Sequence, residues 1–506
     1  RVVGKGVETG RSYWHGYYLN DDWKVNRNLT LNLGLRYEYV SPLVDVLNRR
    51  STFYPLVHEN TTGERGQIIV ANSTEAKQLL NLSGVGARAV YAPDRNNWAP
   101  RIGLAYSLGE KTVLRGGYGI FYTNSQNFVN NFVINRRQPP FAETQTITSS
   151  TATPEIAIAN PFVNASAVLV IATQNINPGF REGYVQQWNF TVQRLLPKDF
   201  SVEAGYVGSK GTDLGELNFY NVPHPGPSAT LQARRPFPAW GTALSLDSYV
   251  TSHYDSLQVK AQKRSSAGMA VLAAYTLSKS IDLSSERGNG ERGGGFDGSG
   301  NPRDPRSSRG LSGFDNRHRL AVSFVYEIPA GQGKRLGSGV GVVEDKLISG
   351  WELSGIATYQ SGFPFTVVQS GDPNGDGIAD RPDLIGNPVI NDRNPNCYIA
   401  DSRNPACGTG TGTAFANLPA GSIRFGSAGR NILIGPGQIV HDLGISKNTR
   451  FGERYNVQFR AEFFNLLNRA NFNQPNRTVN ITNPAFGSIN SAFRPREMQF
   501  GLKFEF

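Results

Sequence analysis

The sequence predicts an all-β chain, a transmembrane antiparallel β-barrel present in part. Three observations carry this. The last residues alternate without a break: Met498, Phe500, Leu502, Phe504 and Phe506 on one side, Gln499, Gly501, Lys503 and Glu505 on the other. Such a period of two gives a strand one greasy and one wet face. Similar alternation recurs along the chain, in segments often ten residues or longer, the length a tilted strand needs to cross a bilayer. The connections between segments alternate short and long, so one end of the sheet is trimmed and the other elaborated.

Thirteen segments are predicted as strands: 13–24, 29–40, 97–108, 111–123, 184–196, 200–209, 249–264, 269–281, 318–329, 348–361, 438–450, 455–468 and 494–506. In the second, Leu29, Leu31, Leu33, Leu35, Tyr37 and Tyr39 face away from Thr30, Asn32, Gly34, Arg36 and Glu38. In the twelfth, Tyr455, Val457, Phe459, Ala461 and Phe463 oppose Asn456, Gln458, Arg460 and Glu462. Short turns are expected at Val25–Asn28, Gly109-Glu110, Pro197–Asp199, Ser265–Gly268 and Phe451–Arg454, with a stretched one near 330–347. Long loops are expected over 41–96, 124–183, 210–248, 282–317, 362–437 and 469–493. A soluble sandwich or propeller has no reason to sort its connections in this way.

Composition agrees. The clean apolar run Ala167–Ala172 is far too short for a membrane helix of about 20 residues, so a membrane span must be made of paired strands. An Arg or Lys facing mid-bilayer lipid costs about 2–4 kcal/mol. Arg36, Glu38, Arg101, Arg115, Arg460 and Glu462 are therefore expected to line the lumen, with the Leu, Val and Phe rows facing lipid. Trp23, Tyr37, Tyr39, Trp98, Tyr122, Trp351 and Tyr359 cluster near strand ends, as interfacial girdles do. The net charge of +11 reads as Lys and Arg scattered over surfaces near anionic lipid, not as a nucleic-acid site, because no run of five basic residues occurs. The last strand, with Phe500, Leu502, Phe504 and the terminal Phe506, is read as the signal presented to a barrel-assembly machinery.

The odd strand number prevents an all-antiparallel closure, so partners are expected before Arg1, and the sequence is read as starting part-way through a longer exported one. Cys397 and Cys407, the two cysteines of the chain, are expected to form a loop disulfide in an oxidising compartment. The segment Asp372-Pro-Asn374-Gly-Asp376-Gly377-Ile378-Ala-Asp380-Arg-Pro-Asp383 has the spacing of a calcium loop. Side-chain oxygens occupy positions one, three, five, nine and twelve, Gly stands at six, and Ile378 lends a carbonyl at seven. An Asx-rich loop tip is the plain alternative. No catalytic constellation is found: the six histidines, His15, His58, His224, His253, His318 and His441, are scattered, and the glycines of Arg115–Gly119 lie within a strand. The chain is not expected to be an enzyme. The Gly-rich stretch 288–300 reads as loop.

Several phrases resemble TonB-dependent outer-membrane receptors of the Oar-like type. They are Tyr18–Val25 followed by Leu29–Glu38, Asn97–Gly103, Phe314–Leu320, Gly350-Trp351 with Gly362–Phe365, and Phe463–Asn468. The resemblance covers essentially the whole chain. It implies a barrel of about 22 strands filled by an N-terminal plug, often preceded by a carboxypeptidase-regulatory-like domain. On that basis residues 1–506 are the C-terminal portion of the barrel, strands 10 to 22, without plug or regulatory domain. The implied localisation is the outer membrane of a Gram-negative-type bacterium. The implied partners are outer-membrane lipid, the TonB energy-coupling complex (through the missing N-terminal region) and an unidentified extracellular ligand such as a siderophore, glycan or peptide. Without the plug, this chain alone is not expected to transport actively. A surface binding or adhesion protein is the alternative.

Overall fold

Thirteen strands form one continuous meander in which each pairs with its sequence neighbour. They are β1 Trp14–Lys24, β2 Leu29–Val40, β3 Trp98–Leu108, β4 Thr112–Tyr122, β5 Tyr184–Leu196, β6 Phe200–Phe219 and β7 Ala243–Lys263, then β8 Met269–Asp282, β9 His318–Glu327, β10 Trp351–Gln360, β11 Gln438–Phe451, β12 Tyr455–Phe464 and β13 Glu497–Glu505. The computed structural model describes residues 2–4, 10–55, 66–123, 140–144, 173–227, 231–263, 268–285, 300–392, 394–408, 411–452, 454–479 and 484–506. The apolar run Ala167–Ala172, most of the 124–183 loop, the Gly-rich residues 288–299 and the turn residues 265–267 lie outside them. All twelve wall ladders are antiparallel, from β1–β2 to β12–β13. Among the described residues β1 and β13 do not pair with each other, so the wall is an open sheet.

Register shows how the two faces are made, because residues directly opposite on antiparallel strands share a face. One row runs Val271–Phe324–Gly355–Leu443–Phe463–Met498 across six strands. Its glycine is covered: a Cβ on Gly355 would meet the Phe324 ring at 2.6 Å. The aromatic residues expected near strand ends all fall on this face. Trp23 and Trp351 stand at the short-turn end, and Tyr37, Tyr39, Trp98, Tyr122 and Tyr359 at the long-loop end. On β7 the greasy stretch Leu257–Ala261 is bounded by Asp255 above and Lys263 below. Eight residues of tilted strand span on the order of 20 Å, close to the height of an outer-membrane apolar band.

The structure departs from the expected spans where local chemistry intervenes. β6 and β7 do not stop near 209 and 249. They continue as a paired tongue to Phe219 and back from Ala243, through a register shift between Gly211 and Leu214. Asp213 sits there at φ 53°, which breaks the alternation that a strand reading depends on. β12 ends at Phe464, not 468, because Asn465 turns to φ 49° and its side chain receives the Arg469 amide at 3.0 Å. The stretched connection folds a seven-residue helix, Val342–Ile348, whose Leu347 carbonyl accepts the Trp351 indole at 3.0 Å.

The long loops are not simple coils. Residues 365–433 and 479–489 supply a compact apolar core of Phe365, Val367, Tyr398, Ile399, Phe415, Leu433, Val479, Phe486 and Ile489. Two-residue ladders tie it, such as Pro364–Phe365 with Leu433–Ile434 and Asp383–Leu384 with Phe415–Ala416. A second set of cores joins residues 43–91 to the tongue, through Tyr91, Ile176, Phe180, Leu217 and Leu246 and through Phe53 and Phe237. Among the described residues no helix is long and apolar enough to cross a membrane.

The face assignment makes a sharp prediction. Leu443→Arg, mid-row on the greasy face, should lose about 2–4 kcal/mol and the compact, heat-modifiable form on gels. Ser446→Arg, on the other face of the same strand, should leave both close to wild type in urea unfolding followed by Trp fluorescence. Equal damage from the two would refute the assignment.

Candidate functional site

The wet face begins with a row that crosses eleven strands with almost no apolar side chain. It reads Lys24, Thr30, Ala105, Arg115, Thr191, Gly205, Gln258, Thr276, Arg319, Gln360 and Gln438. Arg36, Glu38 and Arg101 lie on that same face by strand parity, and Arg101 stands opposite Gly34 and Gly119. Arg460 is opposite Ser446, which is opposite Glu352, which is opposite Glu327, on the same side as Arg319. Glu462 follows two residues along β12. The six residues expected to line a lumen therefore share one side of one sheet.

Their contacts are polar and local. Arg36 pairs with Glu38. Arg115 donates to the Gln193 side-chain oxygen at 2.6 Å. The Arg101 guanidinium lies 4.7 Å from the centre of the Phe121 ring. The same face carries a feature that strand alternation did not announce. A hollow of about 410 Å³ is lined there by Leu272, Val325 and Ile356, rimmed by Gln262, Asp442 and Glu462. Val325 and Ile356 occupy wet-face positions, opposite Ala270 and Asp442, and are half-exposed. Their only sequence signal was an apolar residue out of phase in an otherwise alternating strand.

Above the wall, the loop cap is held by charge as well as by its core. Arg430 and Asp282 form an ion pair with side chains 2% and 3% exposed. Arg430 also donates to the Asp282 and Ser308 carbonyls at 3.1 and 3.0 Å, and to Ser285 Oγ at 2.7 Å. Asp282 ends β8, so this pair pins the cap to the wall. Neither residue stands out in sequence, because the two are 148 positions apart. Cys397 and Cys407 are disulfide-bonded, with Cα atoms 5.1 Å apart. The bridge closes a knot of two short helical turns, Pro395–Cys397 and Pro405–Cys407, against Phe486, whose carbonyl accepts Asn404 Nδ2 at 3.1 Å.

The Asp-rich loop folds tightly on itself. Asp372 accepts the Asp376 and Gly377 amides at 3.0 and 2.8 Å. Asn374 Oδ1 accepts the Asp376 amide at 3.0 Å, and its Nδ2 donates to Asp380 Oδ1 at 2.7 Å. Asp376 Oδ1 accepts the Ile378 amide at 2.9 Å. Gly375 and Gly377 both take positive φ, the conformation that glycine supplies for so sharp a turn. Asp376 and Asp380 are each 3% exposed, and the second oxygen of each has no hydrogen-bond partner among the described residues. Burial pushes Asp376 up to about 6 and Asp380 up to about 7, and in both the neighbouring carboxylates of the loop add to the rise. Asp383 does not join them, which corrects the twelve-residue reading. Its carboxylate takes Arg424 at 2.7 and 2.6 Å and the Ser427 amide at 3.1 Å, because it already belongs to a ladder with Ala416. Among the described residues no three His, Cys, Asp or Glu side chains converge as a ready metal cage.

The histidines stay apart. His318 bonds the Tyr275 hydroxyl at 2.9 Å and His441 bonds that of Tyr359 at 2.7 Å, each joining neighbouring wall strands.

Comparison with known proteins places this architecture. The family described as outer membrane beta barrel domain matches residues 1–499. The chain belongs to that family. Its place is the outer membrane. Among solved structures it is similar to the outer membrane transporter YddB of Escherichia coli, at 10% identity and TM-score 0.46 over 98% of this chain and 54% of that one. It is similar also to the ferric-catecholate import receptor Fiu of E. coli, at 11% identity and TM-score 0.42 over 98% and 45%. A third is the ferripyoverdine receptor of Pseudomonas aeruginosa, at 10% identity and TM-score 0.43 over 99% and 39%. The chain thus spans about half or less of these structures. No curated protein matches it.

The buried pair gives a test of how the cap is held. Arg430→Met strands Asp282 without its counter-charge, which should weaken the cap by about 3–5 kcal/mol. Limited proteolysis should then cut within 362–437 at least tenfold faster, while the urea midpoint of the wall holds. Adding Asp282→Asn should recover most of the protection. No change in cutting rate would show that the apolar core alone holds the cap.

Proposed function

We propose that this chain is the C-terminal wall and outer cap of a TonB-dependent outer-membrane transporter, which takes up a ligand such as a siderophore, glycan or peptide. The observation that carries the reading is the continuous wet face beneath folded outer loops. A wall whose charged residues share one side across the sheet provides a hydrated path past lipid. A cap with its own cores provides a surface that is stable enough to select what enters the path. The phrases by which the sequence resembles such receptors support the same reading. On this reading Arg36, Glu38, Arg101, Arg115, Arg460 and Glu462 line the lumen. The hollow at Leu272, Val325 and Ile356 offers apolar contact part-way along it. On the same reading residues 1–506 are one portion of the barrel, and energy coupling is the task of a plug.

The test is uptake by the native host. Deleting the gene should abolish accumulation of one class among radioiron-loaded siderophores, labelled oligosaccharides and labelled peptides. Dissipating the proton-motive force in the parent strain should abolish the same class. Surface binding that disappears on deletion, with no energy-dependent accumulation in the parent, would assign the chain to adhesion instead. No difference between strains in any class would overturn uptake of these ligands.

A further inference from the structure

We propose that Asp372–Asp380 binds one calcium ion, held by the carboxylates of Asp372, Asp376 and Asp380, the side-chain oxygen of Asn374 and the Ile378 carbonyl. The spacing alone does not carry this. The independent observation is two carboxylates, each 3% exposed, whose Oδ2 atoms have no hydrogen-bond partner among the described residues and lie in the same turn. An unpaired buried carboxylate is expensive, and two together repel. A divalent cation relieves both costs at once.

The remaining bonds of the loop are compatible with an ion. A carboxylate offers about four acceptor sites. Asp372 spends two on the Asp376 and Gly377 amides, Asp376 one on the Ile378 amide, and Asp380 one on Asn374. The amides hold the turn closed and leave further lone pairs for a metal. The donors are all oxygens in an irregular arrangement, which suits calcium better than the strict octahedron of magnesium. Two nearby guanidinium groups are engaged with carbonyls. Arg303 lowers Asp376 only as a minor influence and donates to the Val222 carbonyl, and Arg234 donates to the Gly375 and Pro227 carbonyls. With Asp383 committed to Arg424, the site is the first nine residues of the motif.

The ion would act as a staple. The Asn374 carbonyl accepts the Gly226 amide at 2.7 Å, and the Pro373 carbonyl accepts Gly421 at 2.7 Å. Fixing this turn therefore fixes the tongue between β6 and β7 against the cap.

The experiment uses the whole protein purified from outer membranes of its host in detergent and stripped with chelator. Equilibrium dialysis against radioactive calcium should show one more ion bound to wild type than to an Asp376→Asn/Asp380→Asn variant, with a Kd of about 10⁻⁴ to 10⁻³ M, as in extracellular modules. Magnesium at the same concentration should not compete. Equal stoichiometry in the two proteins, or none bound to wild type at millimolar calcium, overturns the proposal. Should the variant not reach the membrane, wild type alone decides. Hydrogen exchange in the 372–383 segment should slow at least tenfold with calcium, and an unchanged rate overturns the site.

Discussion

Lipid offers no hydrogen bonds, and the rest of this structure follows from that. Every backbone amide and carbonyl crossing the membrane must find a partner in a neighbouring strand. The chain meets this with long, nearly uninterrupted ladders, thirteen residue pairs between β5 and β6 and twelve between β7 and β8. Once the backbone is committed, the pleat forces alternate side chains to opposite faces. The sequence then has one freedom left, which residues go on which side. Arg115 next to Thr191, and Phe463 next to Met498, are the outcome of that single choice repeated across the wall.

Beyond the bilayer the constraint lifts, and the chain behaves as a soluble protein does. Water can satisfy loose backbone, so ladders shrink to two residues and burial takes over as the cohesive force. Phe365, Phe415 and Phe486 are almost wholly inaccessible. Each contributes about 1.5–3 kcal/mol by burial, which offsets the entropy of ordering long loops. At the short-turn end nothing comparable exists among the described residues, and there the greasy face instead carries cations near its edge. Lys447 lies 5.8 Å from the Trp351 ring and donates to the Lys346 and Ser349 carbonyls. Its aliphatic stem covers apolar surface while the ammonium reaches the interface.

The wall was legible because a period of two under a lipid constraint is a strong signal, and each of the thirteen segments became a strand. It blurred where a second influence acted within a strand. The bulge near Asp213 hid the tongue, and Asn465 closed β12 early. The cap was not legible. Its core residues come from stretches with no period, brought together over distances such as that between Phe365 and Val479. Charge pairs like Arg430 with Asp282 leave no local trace for the same reason. The out-of-phase Val325 and Ile356 were visible as exceptions, but alternation alone cannot say that several exceptions from different strands meet in one hollow. The Asp-rich spacing marked a tight hydrogen-bonded turn over Asp372–Asp380. Its twelfth position failed because a linear motif does not know that a ladder has claimed Asp383.

The wall and the cap are cohesive for different reasons, and their joints are of a third kind. Within the wall the backbone binds, and within the cap apolar burial does. Polar contacts are among those that join them: Arg430 reaches the last residue of β8, and Asn431 Nδ2 the carbonyl of Leu311, which pairs with that strand. The net worth of a hydrogen bond between neutral groups is only about 0.5–1.5 kcal/mol, and that of a charge pair depends on its partners staying dry. A change in water access or cation occupancy at a joint therefore alters how the two bodies hold together, while the core of each stays intact.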